Sequence, residues 1–150
     1  MANILVVDDS GTYRDIMKEM LKEGGHTVIG EGTNGLEGID KYKELRPDVI
    51  TLDITMPILG GMDALRKILE FDPDAKVIMV SASAQLSKVL DAKAMGCADF
   101  LAKPFDSLDI LTAVSNALNY SVDYGLDLEF DISDLDVDLD LDLDLNMELD

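Results

Sequence analysis

A single cysteine, a single histidine and the lack of any long apolar run set the first limits on this 150-residue chain. Cys97 has no partner for an internal disulfide, so a reducing cytoplasm suits the chain better than an oxidising compartment. His26 stands at the start of an apolar run with no cysteine nearby, and no second histidine exists to complete a metal pair; a structural role is expected for it. A membrane-crossing helix needs roughly 20 predominantly apolar residues in succession, and no segment approaches this. Met1-Ala2-Asn3 leads directly into an apolar run without a basic region or a cleavage-type site, so no signal peptide is expected. Basic residues are scarce too, 12 Lys and Arg against 31 Asp and Glu, and they are not clustered as phosphate backbones demand. Direct DNA binding is therefore not expected.

The basic residues are unevenly spread. Residues 1–122 carry 19 acidic and 12 basic side chains, whereas residues 123–150 carry 12 acidic and none basic. Apolar residues make up 47 % of the chain, enough for globular folding, and its length suits one domain with a real core rather than two. A folded domain over residues 1–122 and an acidic tail over 123–150 are expected from that contrast.

Within the first part, short apolar runs alternate with longer segments of helical period. The runs are Ile4–Val7, Thr27–Ile29, Val49–Leu52, Val77–Val80 and Asp99–Ala102; three are almost continuously apolar, as strands buried on both faces of a parallel sheet should be. Between them, apolar residues recur three and four apart: Ile16, Met17, Met20 and Leu21; Leu36, Ile39 and Tyr42; Leu65, Ile68 and Leu69; Leu86, Val89 and Leu90; Leu111, Val114 and Leu118. Each stripe could cover a sheet face. Gly24-Gly25, Arg46-Pro47, Asp72-Pro73 and Gly96 mark helix ends. The methionines at 17, 20, 62, 79 and 95 sit at core spacings, and Cys97 lies where a small buried residue is needed. Five strand–helix repeats predict a doubly wound α/β fold: a five-stranded parallel sheet with helices on both faces.

In such sheets, ligand sites form outside the carboxyl ends of the strands. The first strand ends in Asp8-Asp9, the third in Asp53, the fourth in Ser81, and the fifth is followed by Lys103-Pro104. Three carboxylates, a hydroxyl and an ammonium are thus expected at one edge. Crowded carboxylates repel strongly where water is scarce. A hard divalent cation relieves this, and Mg2+ is the usual one at phosphoryl-transfer sites. One carboxylate can then act as nucleophile while the metal and Lys103 neutralise the incoming charge. Ser81 also stands where it could cap the following helix.

Val-Asp-Asp-Ser at 7–10, Leu-Asp-Ile-Thr-Met-Pro at 52–57 with Gly60-Gly61, Ser81-Ala82 and Lys103-Pro104-Phe105 resemble the motif set of the response-regulator receiver family, in order and at matching strand ends. The likeness covers residues 3–119. It is greatest to chemotaxis regulators of the CheY type, through Asp-Asp-Ser-x-x-x-Arg at 8–14 and Asp-Ile-Thr-Met-Pro at 53–57. The resemblance implies a flavodoxin-like strand order, 2-1-3-4-5, and a phosphoacceptor switch with at most self-phosphorylation and self-dephosphorylation activity. It also implies roles: Asp53 as phosphoacceptor; Asp9 and Asp53 as direct Mg2+ ligands with the backbone carbonyl of Thr55, and Asp8 mainly through water. Lys103 and Ser81 would contact the phosphoryl oxygens, and Phe100 would be the aromatic switch. The Lys103-Pro104 bond resembles the family's cis peptide, and Thr55 and Ser83 lie where phosphoryl lifetimes are tuned. The implied partners are a CheA-like sensor histidine kinase and a target such as a motor switch component. A phosphate sink or relay would carry the same residues. An aspartyl-nucleophile phosphatase usually has a second Asp two residues after the first; here that position is Thr55.

From Gly125 onward Leu and Asp alternate almost strictly, with a phase slip at Ser133-Asp134. Period two spreads leucines around a helix axis, so an amphipathic helix is ruled out. In a strand it makes one leucine face and one carboxylate face, although Asp forms strands poorly and like charges repel. Three readings stay open: a disordered acidic tail, a hairpin or added edge strand, and a segment ordered by Ca2+.

Overall fold

The computed structural model describes residues 1–83 and 85–121; the acidic tail expected over 123–150 lies outside the described residues. Ten elements alternate: β1 (Asn3–Val7), α1 (Gly11–Glu23), β2 (Thr27–Gly32), α2 (Gly35–Leu45), β3 (Val49–Asp53), α3 (Gly61–Phe71), β4 (Val77–Ser81), α4 (Leu86–Met95), β5 (Asp99–Ala102) and α5 (Ser107–Asn119). The strands are parallel and ordered β2-β1-β3-β4-β5, the expected doubly wound, flavodoxin-like sheet. β3 and β4 are buried along their whole length, as their mostly apolar sequences favour, with Thr51, Asp53 and Ser81 as their buried polar residues.

Strand side chains alternate between two cores. Leu5, Val7, Ile50, Leu52 and Met79 meet Ile39 of α2, Leu65 and Ile68 of α3 and Ala92 of α4. Ile4, Val6, Val49, Ile78 and Val80 meet Met17 and Leu21 of α1 and Ile110 and Val114 of α5. Helix ends fall at the expected punctuation. Gly24 closes α1, Arg46 turns left-handed at φ 47° ahead of Pro47, and Gly96 does so at φ 111° after α4. His26 is structural: its Nδ1 accepts the Ala2 N–H at 3.0 Å, and burial holds its pKa below the ordinary histidine value.

The expected apolar stripes are corrected on four helices, most clearly on α4 and α2. Of Leu86, Val89 and Leu90, two face outward, with Leu86 64 % and Leu90 50 % exposed, and α4 buries only Ala92. On α2, Leu36 is exposed while Gly35 and Gly38 are buried. Small residues turned inward let a helix backbone approach the sheet closely, and this outweighs the burial that large side chains would gain from a more distant packing. A Cβ at Gly38 would touch the Val7 side chain at 3.3 Å, and one at Gly35 would clash with the Leu59 carbonyl at 2.5 Å. Ile16 and Leu118, also placed in stripes by their spacing, are likewise exposed.

Cys97 is buried as expected, and desolvation pushes its thiol up to about 11, so almost no thiolate exists at neutral pH. Maleimide at neutral pH should therefore leave the native chain unmodified over a period that labels the urea-unfolded chain completely; equal rates by mass spectrometry would contradict this packing.

Candidate functional site

The strand ends reach one rim because of the register. Val7 lies beside Leu52, Asp53 beside Val80, and Ser81 beside Ala102, so the residues just beyond each strand arrive level with one another. The ladder continues past the strands: the Asp8 N–H donates to Gly32 O at 3.0 Å, Ile54 N–H to Val80 O at 2.9 Å, and Lys103 N–H to Ser81 O at 2.8 Å. Backbone pairing thus holds these positions level at the rim.

Asp8, Asp9 and Asp53 come together, each offering an oxygen within 4.8 Å of the others. Asp8 and Asp53 are buried and Asp9 is exposed. Lys103 reaches into this group: its Nζ donates to Asp8 Oδ2 at 2.8 Å and lies 3.5 Å from Asp53 Oδ1. The other Asp8 oxygen accepts the Ser10 N–H at 2.9 Å, so both are engaged. Burial and the neighbouring Asp8 charge push the Asp53 carboxyl up to about 6, and Lys103 only partly offsets them. Burial also pulls on the Lys103 ammonium, but its bond to Asp8 and the charge of Asp53 outweigh this and hold its pKa above the ordinary lysine value.

The Ser81 hydroxyl is buried at the end of β4, where it donates to Ser83 O at 2.8 Å and accepts the Ser83 N–H at 3.0 Å. It does not cap α4, contrary to expectation; the residue at the α4 N-cap is Gln85, which makes no side-chain cap bond. The hydroxyl is already occupied, and Ser81 lies too far ahead of the helix in sequence. Thr55 is exposed on the loop after β3, and Phe100 is partly buried against the core beneath α4. The Lys103-Pro104 bond is cis.

Three supporting groups were not singled out by sequence reasoning. Arg14 donates through Nη1 to the Asp8 carbonyl at 2.7 Å and through Nε to Glu31 on β2 at 2.9 Å, tying the acidic loop to the neighbouring strand. Glu31 is paired a second time, by Lys18 at 2.8 Å. Arg14 appeared in the sequence only as part of a motif, since its role depends on contacts that spacing does not reveal. Tyr13 lies with its ring under Lys103 Nζ, 4.1 Å from the centroid, and no spacing rule announces that contact. Gly61 opens α3 with its N–H bonded to Ile54 O at 2.8 Å, and a Cβ there would run into the Asp53 carbonyl. The Gly60-Gly61 pair was visible; that it seats the backbone of Asp53 was not.

Known proteins share this sequence pattern and fold. The family description "Response regulator receiver domain" matches residues 4–115. The chain is 43 % identical over 112 residues to the chemotaxis protein CheY of Thermotoga maritima, covering 75 % of this chain and 93 % of that one. It is 45 % identical over 120 residues to protein CcdB of Bacillus subtilis, covering 80 % of this chain and all of that one. Among solved structures, it superimposes on the CheX-CheY-BeF3-Mg complex of Borrelia burgdorferi with a TM-score of 0.73 at 37 % identity, covering 75 % of this chain and 85 % of that one.

In the metal-free protein, the Asp53 carboxyl titrates near 3.8 when unfolded and at about 6 when folded. Native Asp53 therefore holds its proton more tightly, and stability is lost as pH rises from about 4 through about 6. In chelator at neutral pH, Asp53→Asn should be more stable than the parent by about 1–3 kcal/mol, and the gap should close below pH 4; urea titrations across this range check it. Gly61→Ala should cost about 1–3 kcal/mol by overpacking against the Asp53 carbonyl. A urea titration in which the variant matches the parent would refute that seating role.

Proposed function

This chain belongs to the response regulator receiver domain family, and on that premise we propose that it is a phosphorylation switch of a two-component signalling system. Asp53 accepts a phosphoryl group from the phosphohistidine of a sensor kinase, or from a small donor such as acetyl phosphate, in a Mg2+-dependent reaction. A protein partner then responds to the altered surface. The observation that carries this reading is the cluster of Asp8, Asp9 and Asp53 with Lys103 set between two of its members.

The donor set suits the metal. Three carboxylates supply hard oxygen ligands, and burial, with the charge of Asp8 after it, shifts Asp53 upward, a cost that a divalent cation would relieve. Asp9, Asp53 and the Thr55 carbonyl would hold it, with Asp8 acting mainly through water. Bound there, Mg2+ supplies positive charge that offsets the charge on the transferring group. The Asp53 carboxylate oxygen attacks phosphorus, the bond to the donor breaks, and the donor leaves with that electron pair. Lys103 pairs with the phosphoryl oxygens as Asp53 gives up its own charge. Ser81 exchanges its bonds to Ser83 for one to the phosphoryl group, which draws on the connection into α4. Phe100, partly buried beside that helix, turns inward; as phenylalanine it offers a partner no hydroxyl. The responding surface is α4–β5–α5, where Leu86, Leu90 and Leu108 are exposed.

Identity of 43 % with CheY proteins supports chemotaxis as the setting, with a CheA-like kinase as donor and a target such as a motor switch component. A cytoplasmic location accords with that, and no helix among the described residues is long and apolar enough to cross a membrane.

Incubated with acetyl phosphate and Mg2+, the chain should take up one phosphoryl group. Asp53→Asn should take up none while keeping the parent's circular dichroism, and Lys103→Ala should be slowed about 10²-fold. Stoichiometric uptake by Asp53→Asn, or many turnovers on a small phosphate ester, would sink the assignment.

A further inference from the structure

The environment of Lys103 has a third wall that the carboxylates do not supply. Its Nζ lies 4.1 Å from the centroid of the Tyr13 ring while bonded to Asp8 at 2.8 Å and 3.5 Å from Asp53. Its side chain is 15 % exposed, so the attraction between ammonium and ring face is only weakly screened. The ring itself is fixed. Ser10 Oγ accepts the Tyr13 N–H at 3.1 Å, which anchors the first turn of α1, and the ring meets Phe105 at 5.6 Å with planes 61° apart. Phe105 is buried in the core beneath α1 and α5 and comes directly after the Lys103-Pro104 pair. The start of α1 and the segment after β5 therefore close over the lysine together.

We propose that Tyr13 is a positioning residue for Lys103, its ring face holding the ammonium at the acid cluster while that cluster's charges are redistributed during phosphoryl transfer. The inference rests on the reading of Asp53 as phosphoacceptor. In that reaction the anionic anchors of Lys103 change: the phosphoryl oxygens take over the pairing from the Asp53 carboxylate, and Asp8 would be shared with the metal. A four-carbon stem handed from one anchor to another would otherwise spread over several rotamers. The ring's attraction does not depend on either carboxylate, so it persists throughout the exchange.

The test uses the full chain with acetyl phosphate and saturating Mg2+. Tyr13→Leu should slow labelling of Asp53 by about 2- to 30-fold, the range that one cation–π contact spans. Its affinity for Mg2+ alone should stay at the parent's value, since the contact of the ring is with the ammonium and not with the carboxylates. By NMR, the Lys103 ε-methylene signals should be shifted upfield by the ring in the parent and lose that shift in Tyr13→Leu. Tyr13→Phe keeps the ring and should restore both rate and shift. A parent-like rate in Tyr13→Leu would overturn the role, as would a fall in Mg2+ affinity matching the fall in rate. So would a Tyr13→Phe variant no better than Tyr13→Leu, which would place the function in the hydroxyl. Failure of the parent itself to be labelled would instead refute the phosphoacceptor reading, and this role with it.

Discussion

Lys103 reaches from the end of β5 to within 2.8 Å of Asp8 and 3.5 Å of Asp53, and that pairing lets a parallel sheet end in buried acids. A carboxylate withdrawn from water loses several kcal/mol of solvation, and a second beside it adds repulsion. One ammonium shared between the two offsets part of this, and Asp53 stays well above the ordinary carboxylate range. The rest of the structure bears the remainder. Ser10 gives its N–H to Asp8, Arg14 holds the Asp8 carbonyl against Glu31, and both cores lock the strands in register. The rim is thus a place where folding stability is given up to concentrate negative charge, as functional sites commonly do.

Most of the architecture could be read from the chain, because parallel strands and their covering helices leave distinct periods. The five strands are where the apolar runs lie, and the helix ends are where Gly and Pro punctuate them. The acid cluster was legible for a related reason: topology dictates which residues stand at the carboxyl edge, so Asp8, Asp53, Ser81 and Lys103 could be assembled without coordinates. The features that stayed hidden depend on distances across the sequence. Tyr13 meets Lys103, and Arg14 meets Glu31, through packing that no local pattern encodes. Period alone also misassigned the inward face of α4. Leucines at helical spacing define a stripe, but the choice between a stripe of leucines and a stripe of alanine and glycine turns on how near the backbone can come to the sheet.

That last choice bears on how a signal could leave the site. α5 buries Ile110, Ala113, Val114 and Ala117 and begins with a capping box between Asp106 and Asp109, so moving it would expose much apolar surface and break two good bonds. α4 buries Ala92 alone and has no side-chain cap at its start. By the same measures it is the helix whose displacement costs least, and elements that move in switching are drawn from the low-stability end of a fold. Under the proposed function, the group that would pull on it is Ser81, which ends the strand leading into α4 and whose hydroxyl is held through Ser83. Withdrawing that hydroxyl toward a phosphoryl group releases the connection on the side where α4 is least anchored. The leucines that α4 turns to solvent would then shift with it, whereas α5 stays fixed and supplies the reference against which a partner could sense the change.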